Sequence, residues 1–376
     1  MANHKHIQQL VGQLFIVGFD GFSVPIAFKR FIAESNLGGV IYFEGNVQSP
    51  TQLAELSNEI QFSCRAKGSP PLVVSIDHEG GKVTRLVKPF TKFPGNDYIG
   101  DLGSPKVAFQ FGMVIGKELK AIGVNMNCAP VVDVNSNPES PIIGSRAFSK
   151  DPEVCGRMGS AVCRGLQKMG VMAVAKHFPG HGGTTEDSHL ALPVVTKTME
   201  QLDELELIPF KRVIKSRVEG VMTAHIMNRN LDPEYPATLS KATLTDLLRT
   251  KMRFSRLIIS DDLEMKAIAD KWDPIRSAVL AVQAGCDMLI YKGEAGVPQA
   301  QIDAIIVAVE KGEIPLAQLE QKVVRIQTAK KAYCEQKEPI DITEVGQYIG
   351  QPDHAKLADI ITKKEKPADE GPEDFG

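Results

Sequence analysis

The sequence has no surplus of basic residues and no long apolar run. Its 43 lysines and arginines stand against 46 aspartates and glutamates, and the formal net charge is -3. Proteins that bind nucleic acid usually carry a strongly basic face, so we expect no nucleic-acid partner. A membrane-spanning helix needs roughly 20 consecutive apolar residues. Since no segment approaches that length, we expect no membrane association.

The first residues, MANHKHIQQLVGQLFIVGF, also lack the basic region, apolar stretch and small-residue cleavage site of an export signal. The six cysteines are scattered without CxxC spacing, so the sequence indicates neither a disulfide framework nor a zinc knuckle. We therefore expect a cytoplasmic, monomeric protein with reduced core thiols, without a metal ion or another cofactor.

Eight short apolar segments recur along the chain, with amphipathic segments between them. This alternation is typical of parallel strands wrapped by helices, and eight such units favour a closed (β/α)8 barrel of the TIM type over an open sheet. The predicted strands span residues 14–19, 39–43, 72–77, 124–128, 171–176, 220–224, 257–260 and 287–291.

The intervening segments predict helices, and the end of the chain differs in composition from the rest. Helices are predicted over residues 107–122, 153–169, 199–215, 240–249, 274–284 and 298–311, with a further one running toward residue 334. No internal repeat or domain break is visible, so we expect one barrel over residues 1–335. Residues 336–376 end in KKEKPADEGPEDFG, whose charged composition predicts a C-terminal extension that is partly helical and partly disordered.

Ionisable side chains follow four of the predicted strands. In a parallel barrel the loops after the strands form the active face, so these side chains are expected to converge. Turn capping, surface exposure and core packing remain alternatives for each of them. The residues are Asp77 after the third strand, Lys176 and His177 at the fifth, His225 after the sixth, and Asp261 with Asp262 at the seventh.

The run HFPGHGGTTEDSH after the fifth strand predicts a glycine-rich loop that carries Asp187 and His189 over the site. Two positions apart, these side chains share a face only in extended backbone. A carboxylate bonded to an imidazole would orient it and stabilise its charged form. A zinc site that uses these residues with His177 and His181 is an alternative. However, the proline and glycine between the last two histidines disfavour the helix that such spacing requires.

The run SDDLEM places two acids at the end of the seventh strand. Adjacent residues of a strand point to opposite sides, so one carboxylate is expected to face the barrel axis. Held ionised by hydrogen bonds or cations, it could act as a nucleophile, while the other caps the following segment. Caps at both positions remain the alternative.

Ten motifs in fixed order make the sequence similar to glycoside hydrolase family 3, in particular to its short bacterial β-N-acetylglucosaminidases of peptidoglycan recycling. They are GQLFIVGF, GGVIYF, IDHEGGKVTRL, APVVDVN, IIGSRAF, KHFPGHGGTTEDSH, VMTAHI, PATLS, IISDDLEM and AGCDM. Some positions differ from the commonest family pattern. His78 and Lys82 often appear there as Gln and Arg, and Arg256 often as Gly.

The resemblance implies a role for each candidate residue. Asp261 would be the nucleophile and His189 the general acid/base, with Asp187 as its partner. The hydroxyl groups of an N-acetylglucosamine unit would be held by four residues, Asp77, Arg146, Lys176 and His177, with Arg85 as a further candidate.

The implied reaction removes terminal β-linked N-acetylglucosamine from muropeptides with retention of configuration. A neutral acid/base would also let phosphate take the place of water, so phosphorolysis stays open. Relatives that act as β-glucosidases use a second domain, for which this chain has no room. A metal-dependent barrel hydrolase and a catalytically silent sugar-binding protein are the competing hypotheses.

Overall fold

Eight parallel strands close into a barrel in the computed structural model, which describes residues 2–65, 69–137, 140, 142–184, 188, 191–335 and 338–365. Each strand pairs with its neighbours in chain order, and the first pairs with the last. This confirms the (β/α)8 prediction. The strands are β1 Phe15–Gly18, β2 Gly39–Tyr42, β3 Val73–Ile76, β4 Met126–Asn127, β5 Met172–Phe178, β6 Gly220–Thr223, β7 Leu257–Asp262 and β8 Met288–Tyr291.

The barrel strands are buried on both faces. Every residue of β5 is buried, and the exposed fractions in β1 are close to zero. Continuous apolar runs are the expected composition of parallel strands that are covered by helices outside and by packed side chains inside. The bounds of all eight predicted strands agree with those of the observed strands within three residues at each end.

Helices surround the barrel, and several begin with a proline that follows an N-capping residue. Asp151 and Ser104 accept hydrogen bonds from backbone N–H groups of the first turn, each just before a proline that opens its helix. The helices are α1 Ala2–Gly12, α2 Ile26–Ser35, α3 Pro50–Arg65, α4 Asn96–Leu102, α5 Pro105–Ala121, α6 Pro152–Lys168, α7 Met199–Glu204, α8 Leu207–Lys215, α9 Lys266–Ala269, α10 Pro274–Ala284, α11 Gln299–Glu310, α12 Leu316–Tyr333 and α13 Pro352–Lys363.

Short elements complete the fold. Ala242–Lys251 forms a π-helix where a helix over residues 240–249 was predicted. Two-stranded pairs join His78–Gly80 to Val83–Thr84 and Val194–Val195 to Met227–Asn228, and single 3₁₀ turns occur at Glu44–Asn46, Gly144–Arg146, Ala237–Leu239 and Val345–Gln347.

One predicted helix is interrupted. The sequence pattern predicted a single helix over residues 199–215, but the chain leaves the helical conformation at Leu205, where φ is -132° and ψ is -75°. Pro209 explains the break, because in a continuous helix its ring would clash with the carbonyl of Leu205. The result is two helices, α7 and α8.

Residues 338–365 pack on the outside of the barrel. Helix α13 contacts α4 and α5, and its His354 is buried against Glu118 of α5, with Nδ1 and Oε1 2.8 Å apart. The division of the chain at residue 336 stays a prediction, and residues 366–376 lie outside the described residues. Within the described ranges, no helix is long and apolar enough to cross a membrane. The six cysteines are buried thiols.

Candidate active site

A cavity of about 480 Å³ opens at the carboxyl ends of the strands. Side chains that follow β1, β2, β3, β7 and β8 line it, as expected for the active face of such a barrel. Its polar lining residues include Asp20, Glu44, Asp77, Arg85, Asp261, Asp262, Glu264, Lys266, Lys292 and Glu294. The structure thus brings three of the predicted site residues, Asp77, Arg85 and Asp261, to one cavity.

Asp261 lies near the end of β7, where its Oδ1 accepts a hydrogen bond of 2.8 Å from the backbone N–H of Asp262. Burial by itself would raise the pKa of Asp261. The nearby side chains of His225, His177 and Lys176 act in the opposite direction, and the resulting pKa lies below the ordinary value of 3.8. Asp261 is therefore ionised at neutral pH, as a carboxylate nucleophile must be.

Asp262 has the opposite electrostatic character. Burial raises its pKa to about 7, although its carboxylate accepts hydrogen bonds from the backbone of Glu264 and Lys292 at 3.0 and 3.1 Å. The carboxyl group therefore ties the end of β7 to the segment after β8. Both acids line the cavity, but their electrostatic character differs, because Asp261 is ionised and Asp262 accepts hydrogen bonds from the local backbone.

Asp77 and Lys176 are directly paired across the barrel mouth. Lys176 Nζ lies 2.7 Å from Asp77 Oδ1 and 2.7 Å from Glu79 Oε1. Burial lowers the pKa of Lys176, but the two carboxylates outweigh it and hold that pKa above its ordinary range. The lysine is thus a fixed cation that positions Asp77 at the cavity wall.

Arg146 and His177 continue this array. Arg146 donates two hydrogen bonds to Glu79, of 2.9 Å from Nε and 2.8 Å from Nη2, and Nη2 lies 3.4 Å from His177 Nε2. Asp133 holds the other side of the histidine, since His177 Nδ1 donates to its Oδ2 at 2.6 Å. Four of the predicted sugar-binding residues, Asp77, Arg146, Lys176 and His177, therefore belong to one connected array.

Glu79 and Asp133 were not among the predicted site residues, yet their buried carboxylates hold the array together. The side chains of both are 0% exposed. Burial alone would raise the pKa of each carboxyl, but their cationic and N–H partners hold it below the ordinary range. A signal for them was present in IDHEGG and APVVDVN, where each acid follows an apolar segment near the end of a barrel strand.

Arg85 forms another part of the cavity wall. Its Nη1 donates a hydrogen bond of 2.8 Å to Glu44, and its guanidinium carbon lies 5.9 Å from the centre of the Phe43 ring. Lys292 Nζ approaches the same ring at 5.6 Å. This wall therefore combines an aromatic ring with two cations, a surface suited to a polar ligand with an apolar face.

The glycine-rich loop is anchored at His181. Burial lowers the pKa of His181 to about 4, so its ring is neutral at pH 7. The Thr184 hydroxyl donates its proton to the carbonyl of His181. Its Oγ1 can therefore only accept from the ring, so His181 Nδ1–H donates to Thr184 Oγ1 at 2.8 Å. The other ring nitrogen, Nε2, must then accept from Ser188 Oγ at 3.1 Å.

Ser188 is held from a second direction, because its carbonyl accepts a hydrogen bond of 3.3 Å from the N–H of Ala267 in α9. Helix α9 follows β7, the strand that carries Asp261. The predicted catalytic residues Asp187 and His189 lie outside the described residues, on either side of Ser188.

The histidines near the mouth have protein partners. His225 Nε2 donates to the carbonyl of Asp262 at 2.8 Å, and its Nδ1 lies 2.7 Å from Thr238 Oγ1. Both ring nitrogens of His177 and of His181 likewise have partners, as described above. In the part of the chain that the structure describes, no group of three or more His, Cys, Asp and Glu side chains is arranged to hold a metal ion.

Comparisons with known proteins agree with the fold. The sequence model described as glycosyl hydrolase family 3 N terminal domain matches residues 6–329. The chain is 33% identical over 362 residues to β-hexosaminidase A of Pseudoalteromonas piscicida, covering 89% of this chain and 60% of the relative. It is 38% identical over 260 residues to a β-hexosaminidase of Nitrosomonas eutropha, covering 68% and 73%.

Among solved structures, a glycoside hydrolase family 3 β-N-acetylglucosaminidase from Paenibacillus sp. superposes with a TM-score of 0.89 at 37% identity. The superposition covers 95% of this chain and 68% of that one. The chain thus spans about three fifths of the length of the Pseudoalteromonas relative and about two thirds of the Paenibacillus protein.

Proposed function

The chain belongs to glycosyl hydrolase family 3, and on this premise we propose that it is a retaining exo-β-N-acetylglucosaminidase. One observation carries the proposal. Asp261, whose pKa is held below its ordinary value, lines the mouth cavity together with Asp77, which Lys176 positions. An ionised carboxylate beside an ordered set of polar groups is the arrangement that a covalent glycosidase mechanism requires.

In the proposed reaction, a carboxylate oxygen of Asp261 forms a bond to the anomeric carbon as the glycosidic bond breaks. His189 gives its proton to the leaving oxygen. Water then attacks the same carbon, His189 takes a proton from it, and Asp261 is released. Two displacements at one carbon give net retention of configuration. A histidine suits this double role because its ordinary pKa of about 6.5 is close to neutral pH.

The anchoring of Ser188 supports the proposed role of its neighbours. The hydroxyl of Ser188 contacts His181, and its carbonyl contacts the first turn of α9, beside the strand that carries the nucleophile. We therefore propose that Asp187 orients His189 toward the cavity, with the Asp187 carboxylate stabilising the imidazolium that forms during the second step.

The proposed substrate is a muropeptide fragment with N-acetylglucosamine at its non-reducing end. Asp77, Arg146, Lys176 and His177 would bind the hydroxyl groups of that sugar, with Arg85 as a further candidate. Hydrogen bonds in which one partner is charged are stronger than those between neutral groups. The expected monomeric state and cytoplasmic location are part of the same proposal.

The direct test compares hydrolysis of 4-nitrophenyl N-acetyl-β-glucosaminide and 4-nitrophenyl β-glucoside by the full chain. We expect the N-acetyl substrate to be preferred and kcat/KM to fall roughly a thousandfold or more in Asp261→Ala. Asp270→Ala is the matched control and should retain activity. Asp270 is an exposed acid at the C-cap position of α9. Activity that survives in Asp261→Ala would refute the nucleophile assignment.

Two further measurements separate the alternatives. Proton NMR of the first product should show the β-anomer, as retention demands, and EDTA should leave the rate unchanged. Loss of activity in EDTA would instead support a metal-dependent hydrolase. His189→Ala should slow a disaccharide substrate more than the nitrophenyl substrate, because nitrophenolate leaves without needing a proton.

A further inference from the structure

A basic groove lies on the outside of the barrel, along α6 and α8. Its volume is about 890 Å³, and it shares no lining residue with the mouth cavity. Among the described residues that line it, six are cationic and one, Glu153, is acidic. The cations are Arg157, Arg164, Lys211, Arg212, Lys215 and Arg217. This concentration of positive charge contrasts with the formal net charge of -3 for the whole chain.

Helical spacing places these side chains on facing surfaces. Arg157, Ser160 and Arg164 are three and four positions apart, so they share one face of α6. Lys211 and Lys215 are four positions apart and share one face of α8. The register of two neighbouring helices therefore directs cations into the groove from both sides.

Intramolecular ion pairs satisfy part of this charge. Arg212 Nη1 lies 3.4 Å from Glu153 Oε2, and Lys211 Nζ lies 2.7 Å from Asp203 Oδ1. Within the described ranges, Arg157, Lys215 and Arg217 form no ion pair. Positive charges held close together without carboxylates repel one another, and a multivalent anion would relieve that repulsion.

Two buried polar atoms at the groove also lack an internal partner. Ser160 is 4% exposed, and neither its Oγ nor the Nε of Arg157 has a hydrogen-bond partner in the described part of the chain. Buried polar groups are normally hydrogen-bonded, so these two atoms add unsatisfied donors to the cations of the groove. A hydroxyl and a guanidinium N–H are both donors, as recognition of an oxyanion requires.

We propose that this groove binds a small anion that carries two or more phosphate groups. Guanidinium groups match the geometry of phosphate oxygens, and several cations around one cavity favour a multiply charged ligand. The volume is that of a small-molecule site. No aromatic side chain is among the described lining residues, so the groove recognises phosphate groups and offers no stacking surface for a base. This site is independent of the proposed glycosidase activity.

The test is isothermal titration calorimetry of the full chain with sodium tripolyphosphate at low and physiological salt. We expect saturable binding at one site per chain, with an affinity that falls as salt rises. ATP should bind like tripolyphosphate and AMP much more weakly, because the phosphate groups are recognised. Equal binding of AMP and ATP, or tighter binding of hexaglutamate or a short DNA duplex, would overturn the proposal.

A matched pair of variants locates the site. Arg212 and Arg276 each hold one glutamate at 3.4 Å on the exposed surface, but only Arg212 lines the groove. Arg212→Gln and Arg157→Gln should weaken tripolyphosphate binding by about tenfold or more, and Arg276→Gln should not. Lys215→Gln gives a second test at an exposed position. Circular dichroism, which does not depend on the proposed glycosidase activity, reports whether each variant is folded, and equal weakening by Arg276→Gln would refute the assignment.

Discussion

Lys176 and Glu79 form an ion pair in which Nζ and Oε1 are 2.7 Å apart and the side chains are 3% and 0% exposed. Removing two charges from water costs free energy. This cost is offset here because both residues have a second partner of opposite charge. Lys176 also binds Asp77, and Arg146 binds Glu79 through two hydrogen bonds. Two cations and two carboxylates thus compensate one another at the barrel mouth.

Removal of the central carboxylate should therefore be severe. In Glu79→Gln, Arg146 loses its buried counter-charge and Lys176 keeps only Asp77, so we expect the free energy of unfolding to fall by about 3 to 5 kcal/mol. Urea denaturation at pH 7 measures this change. The exposed pair of Glu313 with Arg276 supplies the control, since Glu313→Gln should cost at most about 1 kcal/mol. Similar values for the two variants would contradict the structural role of Glu79.

The titration of Asp262 predicts a stability change near neutral pH. Its pKa of about 7 in the folded protein exceeds its ordinary value of 3.8, so between these pH values the folded state binds more protons than the unfolded state. Its contribution to stability is therefore lost as pH rises through about 7. Asn at position 262 cannot titrate, so Asp262→Asn does not lose this contribution. Between pH 4 and pH 8, the free energy of unfolding of the variant should therefore rise relative to that of the wild type by roughly 1 to 4 kcal/mol.

Urea denaturation of both proteins across this pH range measures the effect. Since other groups also titrate, the informative quantity is the difference between wild type and variant. A difference that does not change with pH would show that Asp262 has no raised pKa.

The hydrogen bond between Ser188 and His181 should matter for turnover. Ser188→Ala removes the Oγ contact of 3.1 Å, which loosens the segment between the two proposed dyad residues. We expect kcat on the aryl N-acetylglucosaminide to fall about 3- to 10-fold, the effect of one hydrogen bond, while KM changes less. Thr196→Ala changes an exposed residue further along the same connection and should have no effect. An unchanged kcat in Ser188→Ala would argue against this anchoring.

Glu118 should control how the C-terminal segment is held. Its carboxylate accepts hydrogen bonds from Thr91, Gly350 and His354, at distances of 2.6 to 3.0 Å. Glu118→Gln weakens several of these bonds, so we expect a loss of about 2 to 4 kcal/mol and faster proteolysis within residues 338–365. Limited proteolysis with mass spectrometry detects the cleavage sites. Glu344→Gln, at an exposed position, is the control, and equal cleavage rates in the two variants would count against the prediction.

Several residues of the candidate site were predictable because the sequence shows where the barrel strands end. Apolar runs identify the buried strands, and in a parallel barrel the residues just after those runs must meet at one face. This logic identified Asp77, Lys176 and Asp261 without knowledge of any contact. The same reasoning assigned no role to Glu79 and Asp133. A buried acid that binds a neighbouring side chain has the same local sequence pattern as an acid that caps a turn.

The sequence by itself determined the number of strands, the chain order of the barrel and the family, since these depend on local apolar runs and on ordered motifs. Only the tertiary structure decided which charges meet. Glu79 and Arg146 are 67 positions apart, and the cations of the outer groove lie on two separate helices. Such contacts depend on strand register and on helix packing, which local spacing does not encode.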